Sequence, residues 1–250
     1  MDKETIKGEF MDTLLSGIDT IDSGLEGFSL GEMVISASRP GHGNIYLLLS
    51  IVRGIYYDFI DRYKCLVFSN SEKSRLKPLQ PGDEDIFIYY KFQSDSLTGF
   101  FSELEDQIKL NDTKILIIDY NETSFQKNKN FFIGLKNIAV RKNILIFIKS
   151  YLTRQSARKS WFNPQIADIE GAPVVEKIAD KYIIMHRLDV LGIKDASGRD
   201  QTNIVDIRLC ARDLCHTGSK YIYFNSDKNI FENFTPLHNR YGYYYLYSEN

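Results

Sequence analysis

The chain has 250 residues, 43% of them hydrophobic and 26% charged, which excludes a disordered polymer and a membrane-embedded bundle and suits one large α/β domain or two small ones. Its 31 Lys and Arg against 33 Asp and Glu leave a net charge of −2. No global basic excess grips nucleic acid, so any such contact must come from a local patch.

Residues 1–30 are mixed and end in a turn-like lead, Gly27–Gly31, into a first strand, EMVISAS. Residues 44–60 place Leu48, Ile51, Val52, Ile55 and Phe59 at helical spacing. CLVFS (65–69) is a continuous apolar run, the mark of a strand buried on both faces in a parallel sheet. Residues 71–85 are polar, with two prolines and a glycine, and read as a loop. IFIYY (86–90) reads as a strand. Residues 97–110 read as a helix with Leu97, Phe100, Phe101, Leu104 and Ile108 on one side. KILIIDY (114–120) is a strand, residues 129–142 a helix with Phe132, Leu135, Ile138 and Ala139 inward, and ILIFI (144–148) another strand. This alternation predicts an α/β fold with a mostly parallel sheet between helices. Residues 150–173 are polar and aperiodic, longer than an ordinary connection. Then KYIIMH, TNIVDIRL, KYIYFN and NIFENF predict a run of antiparallel hairpins at the sheet edge.

Cys65, Cys210 and Cys215 are odd in number and unevenly spaced, which reads as three intracellular thiols and not as a zinc site. The opening MDKETIKGEF has no apolar leader and no run reaches membrane length, so the expectation is a cytoplasmic protein with no membrane partner.

SRPGHGNI (38–45) lies between the first strand and the first helix, where a phosphate-binding loop would lie. Such a loop holds phosphate through backbone N–H groups in a concave nest, helped by the positive end of the following helix. Gly41 and Gly43 permit the turn. The loop's lysine and its Ser/Thr hydroxyl, which reach the outer phosphates and magnesium, are here Asn44 and Ile45. Asn44 donates a hydrogen bond without charge, and Ile45 cannot ligate a metal. By itself the pattern reads as a tight strand-to-helix turn before it reads as a nucleotide site.

Five further stretches, in order, resemble the C-terminal ATPase domain of DnaB-type replicative helicases. LLSGIDTIDSGLEGFSLGEMVISASRP is similar to the family's lead-in, whose "A-R-P-S-M-G-K-T" corresponds to SRPGHGNI with Arg39, Pro40 and Gly43 kept. KILIIDYNE resembles "I-V-I-D-Y-L-Q", keeping Asp119 and Tyr120; KSYLTR resembles "L-S-Q-L-N-R", keeping Ser150, Leu152 and Arg154. Pro164, Asp168, Glu176, Ala179, Asp180 and Arg187 fall on family positions without a gap, and HTGSKYIYFN resembles "P-T-G-x-x-x-L-x-F-N".

The resemblance implies a RecA-like P-loop NTPase fold, with a mostly parallel central sheet flanked by helices and antiparallel C-terminal edge strands. It spans residues 14–235, after a lead of 1–13 and before a Tyr-rich tail of 236–250. It implies a ring of subunits with ATP between them and single-stranded DNA through the centre. The nucleotide-binding residues it implies are Ser38, Arg39, Pro40, Gly41, His42, Gly43, Asn44, Ile45 and Asp119, in a loop that has lost its lysine and hydroxyl. Asp119 would hold magnesium; ATP and Mg are cofactors only of a competent site. The family's catalytic glutamate follows "F-S-x-E-M"; FSNSEKS puts Glu72 one residue late, which reads equally as a solvated loop glutamate. The hairpin that reaches a neighbour's site would bring Ala211 and Asp213 to its lysine and arginine positions, with Arg212 adjacent.

In the channel region, TRQSARKSWFNP places Arg154, Arg158, Lys159 and Trp161 within eight residues, which suits a single-strand backbone and a stacked base, or an ordinary solvated basic loop. The tail YGYYYLY reads as a terminal edge strand or an interface. Three functions follow: a DnaB-like helicase-domain protein deficient in ATP hydrolysis that binds DNA, partner helicase or replication proteins, or copies of itself; a divergent active helicase; or a protein scaffold without nucleic acid.

Overall fold

The computed structural model describes residues 13–58, 63–72, 81–120, 128–153, 164–195, 198–211, 214–215 and 220–235. The alternation read from the sequence recurs in it as α1 (Asp19–Leu25), β1 (Met33–Ser38), α2 (Asn44–Asp58), β2 (Cys65–Ser69), α3 (Asp83–Ile86), β3 (Phe87–Lys91), α4 (Leu97–Asn111), β4 (Ile115–Asp119), α5 (Lys129–Lys142) and β5 (Leu145–Tyr151). α6 (Ala172–Ile178), β6 (Lys181–Arg187), β7 (Ile204–Ala211), β8 (Leu214–Cys215), β9 (Lys220–Asn225) and β10 (Ile230–Asn233) follow.

The strands form one sheet in the order β10-β9-β7-β6-β1-β5-β4-β2-β3, with β8 paired to β7. From β6 to β3 every pairing is parallel; from β6 through β7, β9 and β10 every pairing is antiparallel. β1, β2 and β4 are buried at every position, as continuous apolar runs require of strands covered on both faces. One face packs Ile21 and Leu25 of α1 and Leu48, Ile51 and Ile55 of α2 against Val34, Ile117 and Phe147. The other packs Phe100 and Leu104 of α4, Phe132 and Leu135 of α5 and Val175 of α6 against Ile35, Ile118 and Ile148.

Local chemistry sets the helix ends. Ser96 and Asn128 accept backbone N–H bonds at the starts of α4 and α5, and Asp112 and Asn143 turn left-handed at their ends.

Four expectations are corrected. β6 is not an edge hairpin: it lies inside the sheet, parallel to β1, and only its other side meets the antiparallel β7. The 71–85 loop includes the start of α3, and β3 begins one residue later than read, at Phe87. The aperiodic 150–173 stretch holds the end of β5, a 3-10 turn at Ile166–Asp168 and the start of α6, which are too short to show a period. The cysteines are not three thiols: Cys65 is free and buried, whereas Cys210 is disulfide-bonded, and its register partner in β8 is Cys215. Hairpin pairing sets the backbone of Cys210 opposite that of Cys215, positions that look unrelated by spacing.

Among the described residues, no helix is long and apolar enough to cross a membrane. The lead before Thr13, residues 154–163 with Arg154, Arg158, Lys159 and Trp161, Arg212 and the tail from residue 236 lie outside the described residues.

Candidate nucleotide site

The parallel strands end along one edge, the edge where open α/β sheets take their ligands. Ser38 ends β1, Ser69 ends β2, Asp119 ends β4, and Lys149 and Ser150 lie near the end of β5. The register sets these groups side by side: Ser69 pairs with Asp119, and Ser36 with Lys149.

The loop 38–45 joins β1 to α2. Gly41 and Gly43 have φ of +84° and +86°, the left-handed conformation that a side chain resists. A Cβ at Gly41 would meet nothing within 4 Å, so the loop's crest is open. Ser38, Arg39, Pro40, Gly41, His42, Gly43, Asn44 and Ile45 are thus gathered as one turn at the head of a 15-residue helix.

Asn44, at the lysine's position, faces inward and is 5% exposed. Its Nδ2 donates to the carbonyl of Ser36 at 2.8 Å and to that of Ser150 at 3.2 Å, and its Oδ1 accepts the Ser36 hydroxyl. Ile45 packs against the hydrophobic core.

His42 is buried, and its Nδ1 accepts the Arg187 backbone N–H at 2.9 Å. Burial, with Arg39 and Arg187 nearby, lowers its pKa to about 4, so the imidazole is neutral at pH 7. His186, beside it at 6.3 Å between rings, is lowered to about 4 by burial, His42, Arg39 and Arg208. Both His186 ring nitrogens and the Arg39 Nε are buried without a hydrogen-bond partner among the described residues. Arg39 is the one Lys or Arg in the loop sequence 38–45.

Asp119, the last residue of β4, is 3% exposed. Its Oδ2 accepts the Ser69 hydroxyl at 3.0 Å, and its Oδ1 is ion-paired with the ammonium of Lys149. Lys149 was missed in the sequence reading. The signal was there: KSYLTR carries a lysine where the family motif has leucine, at the end of an apolar strand. Its ammonium also lies 5.4 Å from the Tyr151 ring.

Glu72 is not brought to the loop. It is exposed and ion-paired with Lys91 at the end of β3, the edge strand on the side of β2 away from β4.

The chain is similar to the replicative DNA helicase DnaB of Mycoplasma pneumoniae, with 22% identity over 91% of this chain. It spans 57% of that relative's length. No protein-family model matches the chain. Among solved structures it is similar to the ATPase domain of G40P, with TM-score 0.70 and 16% identity over 90% of this chain and 92% of that one. It is similar to a DnaB-like replicative helicase described with its primase interactions, with TM-score 0.69 and 15% identity over 90% of this chain and 62% of that one. A KaiC-like protein of Pyrococcus horikoshii matches with TM-score 0.59 and 13% identity over 89% of this chain and 98% of that one. The chain has the RecA-like fold of DnaB-type helicase ATPase domains, as the resemblance implied.

Proposed function

We propose that this chain is a DnaB-like helicase-domain protein of DNA metabolism that hydrolyses ATP poorly or not at all and works by binding DNA or replication partners. The observation that carries the reading is Asn44. The residue at the head of α2 that would face phosphate is uncharged and tied inward to Ser36 and Ser150, while Ile45 beside it packs into the core. Phosphoryl transfer is mainly electrostatic, so a loop without lysine or metal-binding hydroxyl forfeits most of the rate. DNA binding would fall to Arg154, Arg158, Lys159 and Trp161, through charge and base stacking. Self-association, or partnership with a helicase, would follow from the ring habit of the family.

Two assays test this together. ATP turnover is measured with and without single-stranded DNA, and binding of a fluorescent oligonucleotide is followed across a salt series. The expected result is no DNA-stimulated turnover and salt-sensitive binding that weakens when Arg158 and Lys159 become alanine. DNA-stimulated hydrolysis would make the chain a divergent working helicase. Absence of both would leave a protein scaffold.

A further inference from the structure

Magnesium is the cation that the resemblance implies at Asp119, and the residues present do not fit it. Both carboxylate oxygens are engaged inside the protein, Oδ1 by the Lys149 ammonium and Oδ2 by the Ser69 hydroxyl. The side chains of Lys149 and Asp119 are 9% and 4% exposed, so the pair is closed off from water. The position that should supply a second oxygen holds Ile45. Among the described residues, no group of three His, Cys, Asp or Glu side chains could hold a metal.

We propose that Lys149 is a built-in substitute for the divalent cation on Asp119, so that this site excludes metal. A buried carboxylate needs a compensating charge. In the family the motif leaves leucine at the position of Lys149, and the resemblance has the aspartate hold magnesium through water. Here the compensating cation is part of β5, the strand between Asp119 and the loop strand β1. A dication approaching Asp119 must displace a buried ammonium already ion-paired with it. If it stays, it repels the metal at contact range. Any phosphate the nest accepts is then bound without metal. The inference rests on the reading of Asp119 as the family's metal-holding aspartate, but not on whether ATP turns over.

The test is titration with Mn2+ in the absence of nucleotide, followed by electron paramagnetic resonance of the free ion. The proteins are the wild type, Asp119→Asn, Lys149→Leu and Lys149→Leu with Asp119→Asn. The wild type is expected to bind Mn2+ no better than Asp119→Asn. Lys149→Leu is expected to bind it at least ~10-fold tighter, about 1.4 kcal/mol, and to lose that gain when Asp119 becomes asparagine. Lys149→Gln, which keeps a hydrogen-bond donor for Asp119, serves with the same expectation where Lys149→Leu does not fold. Asp119-dependent Mn2+ binding by the wild type overturns the proposal, as does a folded Lys149 variant with no gain. Should neither variant fold, the wild type against Asp119→Asn decides alone: equal Mn2+ binding supports metal exclusion. ATP turnover by the wild type would sink the proposed function while leaving this metal result to stand or fall by itself.

Discussion

Asn44 laces the head of α2 to two strands at once, its Nδ2 reaching the Ser36 carbonyl at 2.8 Å and the Ser150 carbonyl at 3.2 Å. The same side chain accepts the Ser36 hydroxyl. A buried amide satisfied in this way is part of the fold, and removing it leaves a buried hydroxyl without its acceptor. Asn44→Ala is expected to cost about 2–4 kcal/mol, since each orphaned buried group costs about 1–3 kcal/mol. Urea unfolding checks this as a lower midpoint at an unchanged slope. A variant as stable as wild type would mean that the amide is replaceable by water and that the loop is held by its turn alone.

Restoring the family's residues in the loop does not by itself restore a metal–nucleotide site. Asn44→Lys with Ile45→Thr supplies the missing charge and hydroxyl but leaves Lys149 on Asp119, and the new ammonium enters a region that already holds one. Calorimetry with a non-hydrolysable ATP analogue is expected to show no magnesium-dependent binding for that double variant. Adding Lys149→Leu is expected to produce it, with affinity at least ~10-fold above the double variant. Magnesium-dependent binding by the double variant alone would show that Lys149 yields to the metal.

Asp180 ties three elements together. Its Oδ2 accepts the Met33 backbone N–H at 2.7 Å and the Lys136 ammonium at 2.6 Å, and Lys136 also donates to the Gly31 carbonyl. This one carboxylate therefore joins the start of β1, the middle of α5 and the start of β6. Asp180→Ala is expected to destabilise the fold by about 3 kcal/mol, the lower part of the range for breaking a buried pair, because Lys136 is partly exposed and keeps one acceptor. Thermal and urea unfolding measure it. A loss under about 1 kcal/mol would place the pair with ordinary surface bridges.

The parallel half of the sheet was legible because its strands are continuous apolar runs and its helices keep a 3.6-residue period; CLVFS and residues 129–142 recur with the bounds read for them. β6 was misplaced because KYIIMH says that it is a strand but not which strand it joins, and its parallel pairing to β1 is settled by contacts 147 residues apart, such as Met33 with Asp180. α1 and α6, at seven residues each, are too short to show a period. At the site, the loop and Asp119 were visible as spacing and sequence context. The Lys149–Asp119 pair was not, because it joins side chains 30 residues apart that meet only once β4 and β5 are in register.

Two neutral histidines, His42 in the loop and His186 beside it, make stability depend on pH. Burial first, then Arg39 and Arg187, lowers His42 to about 4, with Asp189 opposing them. Burial, His42, Arg39 and Arg208 lower His186 to about 4. In the unfolded chain each titrates near 6.5. As pH falls through 6.5 the unfolded state takes up protons that the folded state refuses, so stability present at neutral pH is lost progressively between about 6.5 and 4. Below 4 these two groups cause no further loss. Each contributes at most about 3.5 kcal/mol, from the fall from 6.5 to about 4 at about 1.4 kcal/mol per pH unit. The two are not independent, because each charged ring would repel the other, so the sum is smaller than twice that figure. The His186 ring has no hydrogen-bond partner among the described residues, which makes it the cleaner one to remove. Urea unfolding from pH 7.5 to 4.5 is expected to show a falling midpoint in the wild type and roughly half that fall in His186→Gln. An equal fall in both proteins would assign the acid sensitivity to His42 alone.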